Sequence, residues 1–231
     1  STTLTSGGNA VTVTLVNGQY VGTANGQQVF TLDMNSNGAY TFNQLAPLDH
    51  DLGSNSLTLS FGFATTDFDG DSTLSTLNII VDDSQPVPVV AQHAVDETSD
   101  LGVPVTGDLS AGFGADGPGD VLIDSTFTSS GSQAGGALTS NGNAVTVTFD
   151  QANGVYTGSA NGQTVFTMTI NQDGTYSFVQ VGPLDHADGT DVNDAIILNF
   201  GYTMTDFDGD SANGTIEVTV FDDAPAIVNN S

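Results

Sequence analysis

The stretch Ala10-Val-Thr-Val-Thr-Leu-Val16, Asn17-Gly18, Gln19-Tyr-Val-Gly-Thr-Ala24, Asn25-Gly26 decides the fold class. Two runs of β-branched and apolar residues alternate with a period of two, as half-buried strands do. Asn-Gly follows each run, and this pair supplies the two positive-φ positions of a type I′ hairpin turn. The pattern continues outward through Val29–Asp33, Ala39–Gln44, Leu57–Phe63 and Leu74–Val81, with Asn37-Gly38 between two of the runs. It returns with Asn153-Gly154, Asn161-Gly162 and Asp173-Gly174. No helical period of useful length occurs. Short strands at this spacing predict an all-β chain of antiparallel sandwiches or barrels.

The return is a repeat. Leu4-Thr-Ser-Gly-Gly-Asn-Ala-Val-Thr-Val-Thr recurs from Leu138, Pro47-Leu-Asp-His from Pro183 and Asp67-Phe-Asp-Gly-Asp from Asp206. Asp82-Asp83 recurs as Asp222-Asp223. The interval between copies lengthens slightly along the unit, so the insertions fall in turns. Residues 87–137 have no counterpart before Leu4. The expected organisation is a first repeat over residues 1–86, truncated at its N-terminus, and a complete repeat over 87–231. The boundary lies at Ser84-Gln-Pro-Val-Pro, where two prolines make a semi-rigid link. Tandem repetition of this kind favours sandwiches joined end to end.

Composition sets the chemistry. The 231 residues include 27 acidic side chains and no Lys or Arg, for a formal net charge of −27. No Lys or Arg ion pair can form, and self-repulsion at such a charge opposes compaction. Disorder would relieve it, but disordered acidic chains are poor in aromatic and β-branched residues. This one has 13 Phe and 5 Tyr and is 38% hydrophobic. The chain therefore folds, and bound metal is the expected source of positive charge. Apart from Glu97 and Glu217 every acid is Asp, a short turn-forming carboxylate suited to hard oxygen-seeking cations. Calcium is the expected ion.

Absence of Cys excludes disulfides and thiolate metal sites. The charge excludes a nucleic-acid footprint and disfavours direct contact with anionic membranes. No apolar run reaches the length of a membrane span, and residues 1–20 lack the basic and apolar regions of a signal peptide. The stretch reads as an internal piece of something longer.

Candidate ligands fall in three regions. In Asp-Phe-Asp-Gly-Asp, acids at alternate positions converge as the backbone curls, and the Gly permits the curl. This nominates Asp67, Asp69 and Asp71, with Asp206, Asp208 and Asp210 in the second copy. The acidic pairs Asp82-Asp83 and Asp222-Asp223 follow the last strand of each repeat. End-to-end stacking would bring Asp82-Asp83 toward the Asp206–Asp210 loop, with calcium bridging them. Asp96, Glu97, Asp116 and Asp120 form the third region, around Asp96-Glu97-Thr98 and Gly114-Ala-Asp-Gly117. Asp-His in Pro-Leu-Asp-His is read as a turn closed by a side-chain hydrogen bond, because no further zinc ligands are evident. Catalysis is not expected. Lysine, arginine and cysteine are missing, no Gly-x-Ser-x-Gly elbow occurs, and active sites are seldom duplicated along a rod.

In the order Asp96-Glu97-Thr98, Gly114–Gly117, Leu138–Val145, Pro183–His186, Asp206–Asp210 and Asp222-Asp223-Ala-Pro225, the motifs resemble the roughly 140-residue bacterial Ig-like repeats of giant type I-secreted RTX adhesins. The resemblance covers nearly the whole chain. It implies tandem antiparallel β-sandwich repeats on the bacterial cell surface, folding in extracellular calcium. Such repeats are monomeric, have neighbouring repeats of the same parent chain as partners, and support cell adhesion or biofilm formation as a stalk. The alternative is a calcium-dependent carbohydrate- or ligand-binding module, which requires an open metal site flanked by exposed aromatics. Phe68 and Phe207 lie inside the Asp loops but are expected to pack inward.

Overall fold

Strand follows strand through Asn-Gly turns, as the alternation requires. In the computed structural model, which describes residues 3–131, 136–187, 191 and 194–223, the regular structure is strand apart from one short 3-10 turn. The chain forms two compact units. The first comprises residues 1–85 with 114–117 and 207–210, and the second comprises 86–113, 118–206 and 211–231. Residues 224–231, which close the second repeat expected from the sequence, lie outside the described residues.

The first unit contains β1 (Thr5–Ser6), β2 (Asn9–Ala10), β3 (Thr12–Val16), β4 (Gln19–Ala24), β5 (Gln27–Met34), β6 (Tyr40–Gln44), β7 (Ser56–Thr66) and β8 (Ser72–Asp82). Strands β3-β4-β5-β6 form an antiparallel sheet, and β7 pairs with β8 as a long antiparallel ribbon. The core joins Phe30 and Leu32 of β5 to Leu59 and Phe61 of β7 and Val81 of β8. Phe30 meets Phe61 edge-on with centroids 5.9 Å apart.

The second unit contains β9 (Ala91–Asp96), β10 (Val105–Asp108), the 3-10 turn Ser110–Phe113, β11 (Pro118–Ser130), β12 (Thr139–Ser140), β13 (Asn143–Ala144), β14 (Thr146–Asp150), β15 (Val155–Ala160), β16 (Gln163–Ile170), β17 (Thr175–Gln180), β18 (Ala195–Asp206) and β19 (Ser211–Phe221). A five-stranded sheet, β10-β17-β16-β15-β14, faces a four-stranded sheet, β11-β18-β19-β9. Between them Tyr156, Phe166 and Phe178 meet Phe200, with centroids 5.5–5.8 Å apart. This is a β-sandwich, with one departure from the antiparallel expectation: β9 joins β19 in parallel, Ile216–Phe221 against Ala91–Asp96.

The turn chemistry splits into two kinds. Asn17-Gly18, Asn25-Gly26 and Asn161-Gly162 have both residues at positive φ, as type I′ requires. At Asn37-Gly38, Asn153-Gly154 and Asp173-Gly174 only the glycine does, which corrects the expectation of type I′ there. Two of these loops hold three residues. Asn35 N–H bonds Ala39 O at 2.8 Å and Gly38 N–H bonds Asn35 O at 2.9 Å, with the same pair of bonds around Asn171–Thr175. Such loops take a type I turn and place Gly in the left-handed position that follows. Glycine also serves packing: a Cβ at Gly22 or Gly158 would collide with the ring of Phe30 or Phe166.

Candidate metal centres

The Pro-Leu-Asp-His segments divide their labour by strand-like alternation. Leu48 and Leu184 point into the cores, Asp49 and Asp185 point away, and His50 and His186 point in again. Each Asp takes two backbone N–H groups of a distant turn. Asp49 accepts from Gly7 and Gly8 at 2.6 and 2.8 Å, and Asp185 from Asn141 and Gly142 at 2.9 and 2.8 Å. The expected turn bond is therefore real for the Asp, though not local. The His does something else.

In the first unit, His50 is buried. Its Nε2 lies 3.2 Å from the Val81 carbonyl and donates to it. Nδ1 faces Asp83 Oδ1 at 3.2 Å and Asp208 Oδ2 at 3.8 Å. The His50 N–H also bonds Asp208 Oδ2 at 3.0 Å. Asp83 Oδ1 and Asp208 Oδ1 are buried and accept no hydrogen bond. Burial, then the neighbouring Asp210 and Asp208, push the Asp83 carboxyl up to about 6. Asp116 is raised in the same way, by burial and by Asp208, and its buried Oδ2 also accepts no hydrogen bond. Its segment is tied down by Ala115 N–H bonding Ser84 Oγ at 2.9 Å. Carboxylates that lack donors and resist ionisation are short of positive charge.

The first Asp-Phe-Asp-Gly-Asp loop forms the turn between β7 and β8, and Gly70 takes a φ of 103°. Asp67 Oδ1 accepts from Gly70 and Asp71 N–H at 3.1 and 2.9 Å, the curl expected from the spacing. Oxygens of Asp67, Asp69 and Asp71 lie within 4.8 Å of one another and are exposed. A hydrogen bond with Asp69, ahead of backbone N–H groups, lowers the Asp67 pKa. Phe68 does not pack inward as expected: its side chain is fully exposed. Phe207 does not pack inward as expected either, being exposed at 47%.

In the second unit, Glu97, His186 and Asp222 bring one ligand atom each within 4.8 Å of the others. Glu97 follows β9, its N–H bonding Phe221 O at 3.1 Å, and its buried Oε1 accepts from Leu184 N–H at 2.8 Å and from Gln180 Nε2. Asp222 follows β19, its N–H bonding Asp194 O at 3.0 Å. His186 Nε2 stands 3.9 Å from Glu97 Oε1. Burial opposes charge on His186, but Glu97, Asp222 and Asp194 outweigh it and raise its pKa.

The other nominated residues are placed as follows. Asp206 is buried at the end of β18, and Asp210 ends the 207–210 segment of the first unit. Asp120 opens β11 beside Thr205, with Oδ1 buried and accepting no hydrogen bond. Asp96 closes its own turn, accepting from Thr98 N–H at 2.7 Å. Asp82 and Asp223 are exposed and belong to no cluster among the described residues. The structural match is Asp83 with Asp222, each the first residue past its last strand, so one acid of each pair turns in. The Ala224-Pro225 completing the second motif lies outside the described residues. Sequence reading missed His50 and His186. The available signal was the alternation Leu-Asp-His, which sends His to the same side as the buried Leu.

Residues 1–80 and 89–219 match the model of a family described as Domain of unknown function (DUF5801). No curated protein matches significantly. Among solved structures, the chain is similar to protocadherin gamma B2 extracellular cadherin domains 1–5, at 14% identity and a TM-score of 0.29, covering 94% of this chain and 40% of that one. It is also similar to protocadherin gammaB7 in an EC3-6 cis-dimer structure, at 13% identity and a TM-score of 0.25, covering 95% and 48%. The chain thus spans less than half the length of either.

Proposed function

We propose that this chain, which belongs to the DUF5801 family, is a stretch of calcium-rigidified extender repeats from a bacterial cell-surface adhesin and has no enzymatic activity. Its place would be extracellular, after type I secretion, with neighbouring repeats of the parent chain as its partners and no direct contact with membrane or nucleic acid. No helix among the described residues is long and apolar enough to cross a membrane.

One observation carries the calcium reading. In a chain with no Lys or Arg, one buried oxygen of each of Asp83 (Oδ1), Asp116 (Oδ2) and Asp208 (Oδ1) in the first unit accepts no hydrogen bond. Unpaired buried carboxylates cost free energy unless a cation joins them. Asp83, Asp116, Asp208 and Asp210 would hold one ion, and Asp67, Asp69 and Asp71 another, with water completing the six to eight oxygens that calcium takes. The ion would supply charge compensation and nothing else. Sites of extracellular modules bind at about 10⁻⁴–10⁻³ M. Several of them at millimolar calcium add a few kcal/mol, a large share of a marginal stability. The test is a circular-dichroism melt of the whole chain in millimolar calcium and in excess chelator. A midpoint lower by about 10 °C or more in chelator is expected, and an unchanged midpoint overturns the reading.

A second reading has an observation of its own. The Asp67–Asp69–Asp71 cluster is open, and fully exposed Phe68 stands within it. An exposed aromatic beside an open calcium site can stack on a sugar while the ion takes hydroxyl groups. Calcium-dependent binding on a glycan array, abolished by Phe68→Ala, would favour this module over the plain stalk.

A further inference from the structure

His186 is 4% exposed, and neither of its ring nitrogens has a hydrogen-bond partner. A buried imidazole left this way bears the desolvation of both nitrogens unless something else takes them. Its surroundings point to what that is. Nε2 faces Glu97 Oε1 at 3.9 Å, and an oxygen of Asp222 lies within 4.8 Å of the other two ligand atoms. Glu97 is held from behind by the Leu184 N–H and the Gln180 amide, the arrangement that orients a ligating carboxylate.

We infer that Glu97, His186 and Asp222 form a site for a divalent transition-metal ion of borderline hardness, zinc or a similar cation, distinct from the calcium sites. Calcium takes oxygen ligands at about 2.3–2.6 Å, six to eight of them, and has little use for imidazole. Zinc takes imidazole nitrogen and carboxylate oxygen at about 2.0–2.2 Å in tetrahedral sites, which sets ligand atoms roughly 3.4 Å apart. A contraction of about half an ångström from the 3.9 Å separation reaches that geometry. Three protein ligands leave a fourth position for water.

The first unit also sets a His beside an acid, but that acid, Asp83, is one of the calcium ligands proposed above. His50 Nδ1 lies 3.2 Å from Asp83 Oδ1, and Asp83 occupies the position that Asp222 has in the second unit. There the Val81 carbonyl accepts from His50 Nε2, the kind of second contact that orients a ligating imidazole. His93 has the opposite surroundings. Its Nε2 is bonded to the Tyr176 hydroxyl at 2.6 Å and it belongs to no acidic cluster among the described residues.

The inference stands apart from the calcium reading, and the experiment separates them. The whole chain is loaded with zinc in millimolar calcium, desalted into calcium buffer and assayed for metal content by mass spectrometry. One equivalent is expected for the wild type, none for His186→Gln and one for His93→Gln. Equal zinc in His186→Gln and the wild type overturns the proposal, as does complete displacement of zinc by calcium. If His186→Gln does not fold, the wild-type imidazole ¹⁵N spectrum decides. Zinc should shift the ring resonances of His186 and leave those of His93, and an unmoved His186 overturns the proposal. Retained zinc with no calcium-dependent melting shift would sink the calcium reading and leave this one standing.

Discussion

Phe61 of β7 and Phe200 of β18 occupy one place in two copies of a repeat, opposite Leu77 and Ile216 on the partner strands. Phe200 touches four other rings, of Phe127, Tyr156, Phe166 and Phe178, whereas Phe61 touches those of Tyr20 and Phe30. The same contrast runs through the units. Tyr176 is 5% exposed and its counterpart Tyr40 is 52%. The strands are near-duplicates, so their own side chains do not explain it. In the second unit, β10 adds to β17, β11 to β18 and β9 to β19. The first unit has no such strands beside β6, β7 and β8 among the described residues. Burial of a repeated strand is thus set by the segment that precedes the repeat, and identical pattern does not mean identical energy.

Truncation of the core rings tests that lesson most severely. Phe200→Ala should cost about 3–5 kcal/mol in urea unfolding followed by hydrogen exchange in β18, and Phe61→Ala about half as much, because a less enclosed ring leaves less cavity. Equal losses would break the comparison. Ligand loss comes next. Asp208→Ala should remove a substantial part of the calcium-dependent rise in melting temperature, several degrees, since it deletes a buried oxygen facing His50. Asp173→Ala, which only frees the Thr175 N–H and hydroxyl in a hairpin turn, should leave that rise intact. Equal effects would count against the ligand assignment.

A smaller contrast lies in the tyrosines. Tyr156 donates to Gly201 O at 2.6 Å from full burial, and Tyr20 makes the matching bond to Gly62 O at 2.8 Å from a part-exposed position. Tyr156→Phe should cost about 1–2 kcal/mol and Tyr20→Phe about 0.5 kcal/mol by chemical denaturation. The smallest effect is on pH. Asp83 titrates near 6 in the folded chain, above its unfolded value, so the folded state binds the extra proton. In chelator its contribution to stability should grow as pH falls from about 6 toward 4 and vanish as pH rises through 6. Saturating calcium should remove that trend, because the ion holds the ionised form. Asp83→Asn melts that keep the same pH slope in chelator would show that another group is responsible.

Much of the fold was legible because period-two alternation and Asn-Gly pairs act locally. Strands β3 to β5 and their type I′ turns follow from φ preferences within a few residues. The bulged loops at Gly38 and Gly174 did not, because Asn-Gly and Asp-Gly suit both turn kinds and loop length decides between them. The parallel pairing of β9 with β19 joins residues about 125 positions apart, beyond any local signal. At the candidate sites, the convergence of Asp67, Asp69 and Asp71 could be read from spacing and glycine alone. That Asp83 turns in while Asp82 turns out depends on where β8 stops, and a one-residue slip would exchange them. The histidines were hidden for a related reason: their carboxylate partners come from distant strand ends, which no motif displays.

The pairing of β9 with β19 has a mechanical meaning. Among the described residues β9 is the first strand of the second unit and β19 the last, and the two run side by side in the same direction over six rungs, Ala91 beside Ile216 to Asp96 beside Phe221. A pull that drew the entry and exit of this unit apart would slide one strand along the other. All six rungs would bear the load together, in shear, instead of parting one at a time as the closed end of a hairpin is peeled open. Resistance to stretching is therefore written into the direction of one strand, independently of how deep the core is.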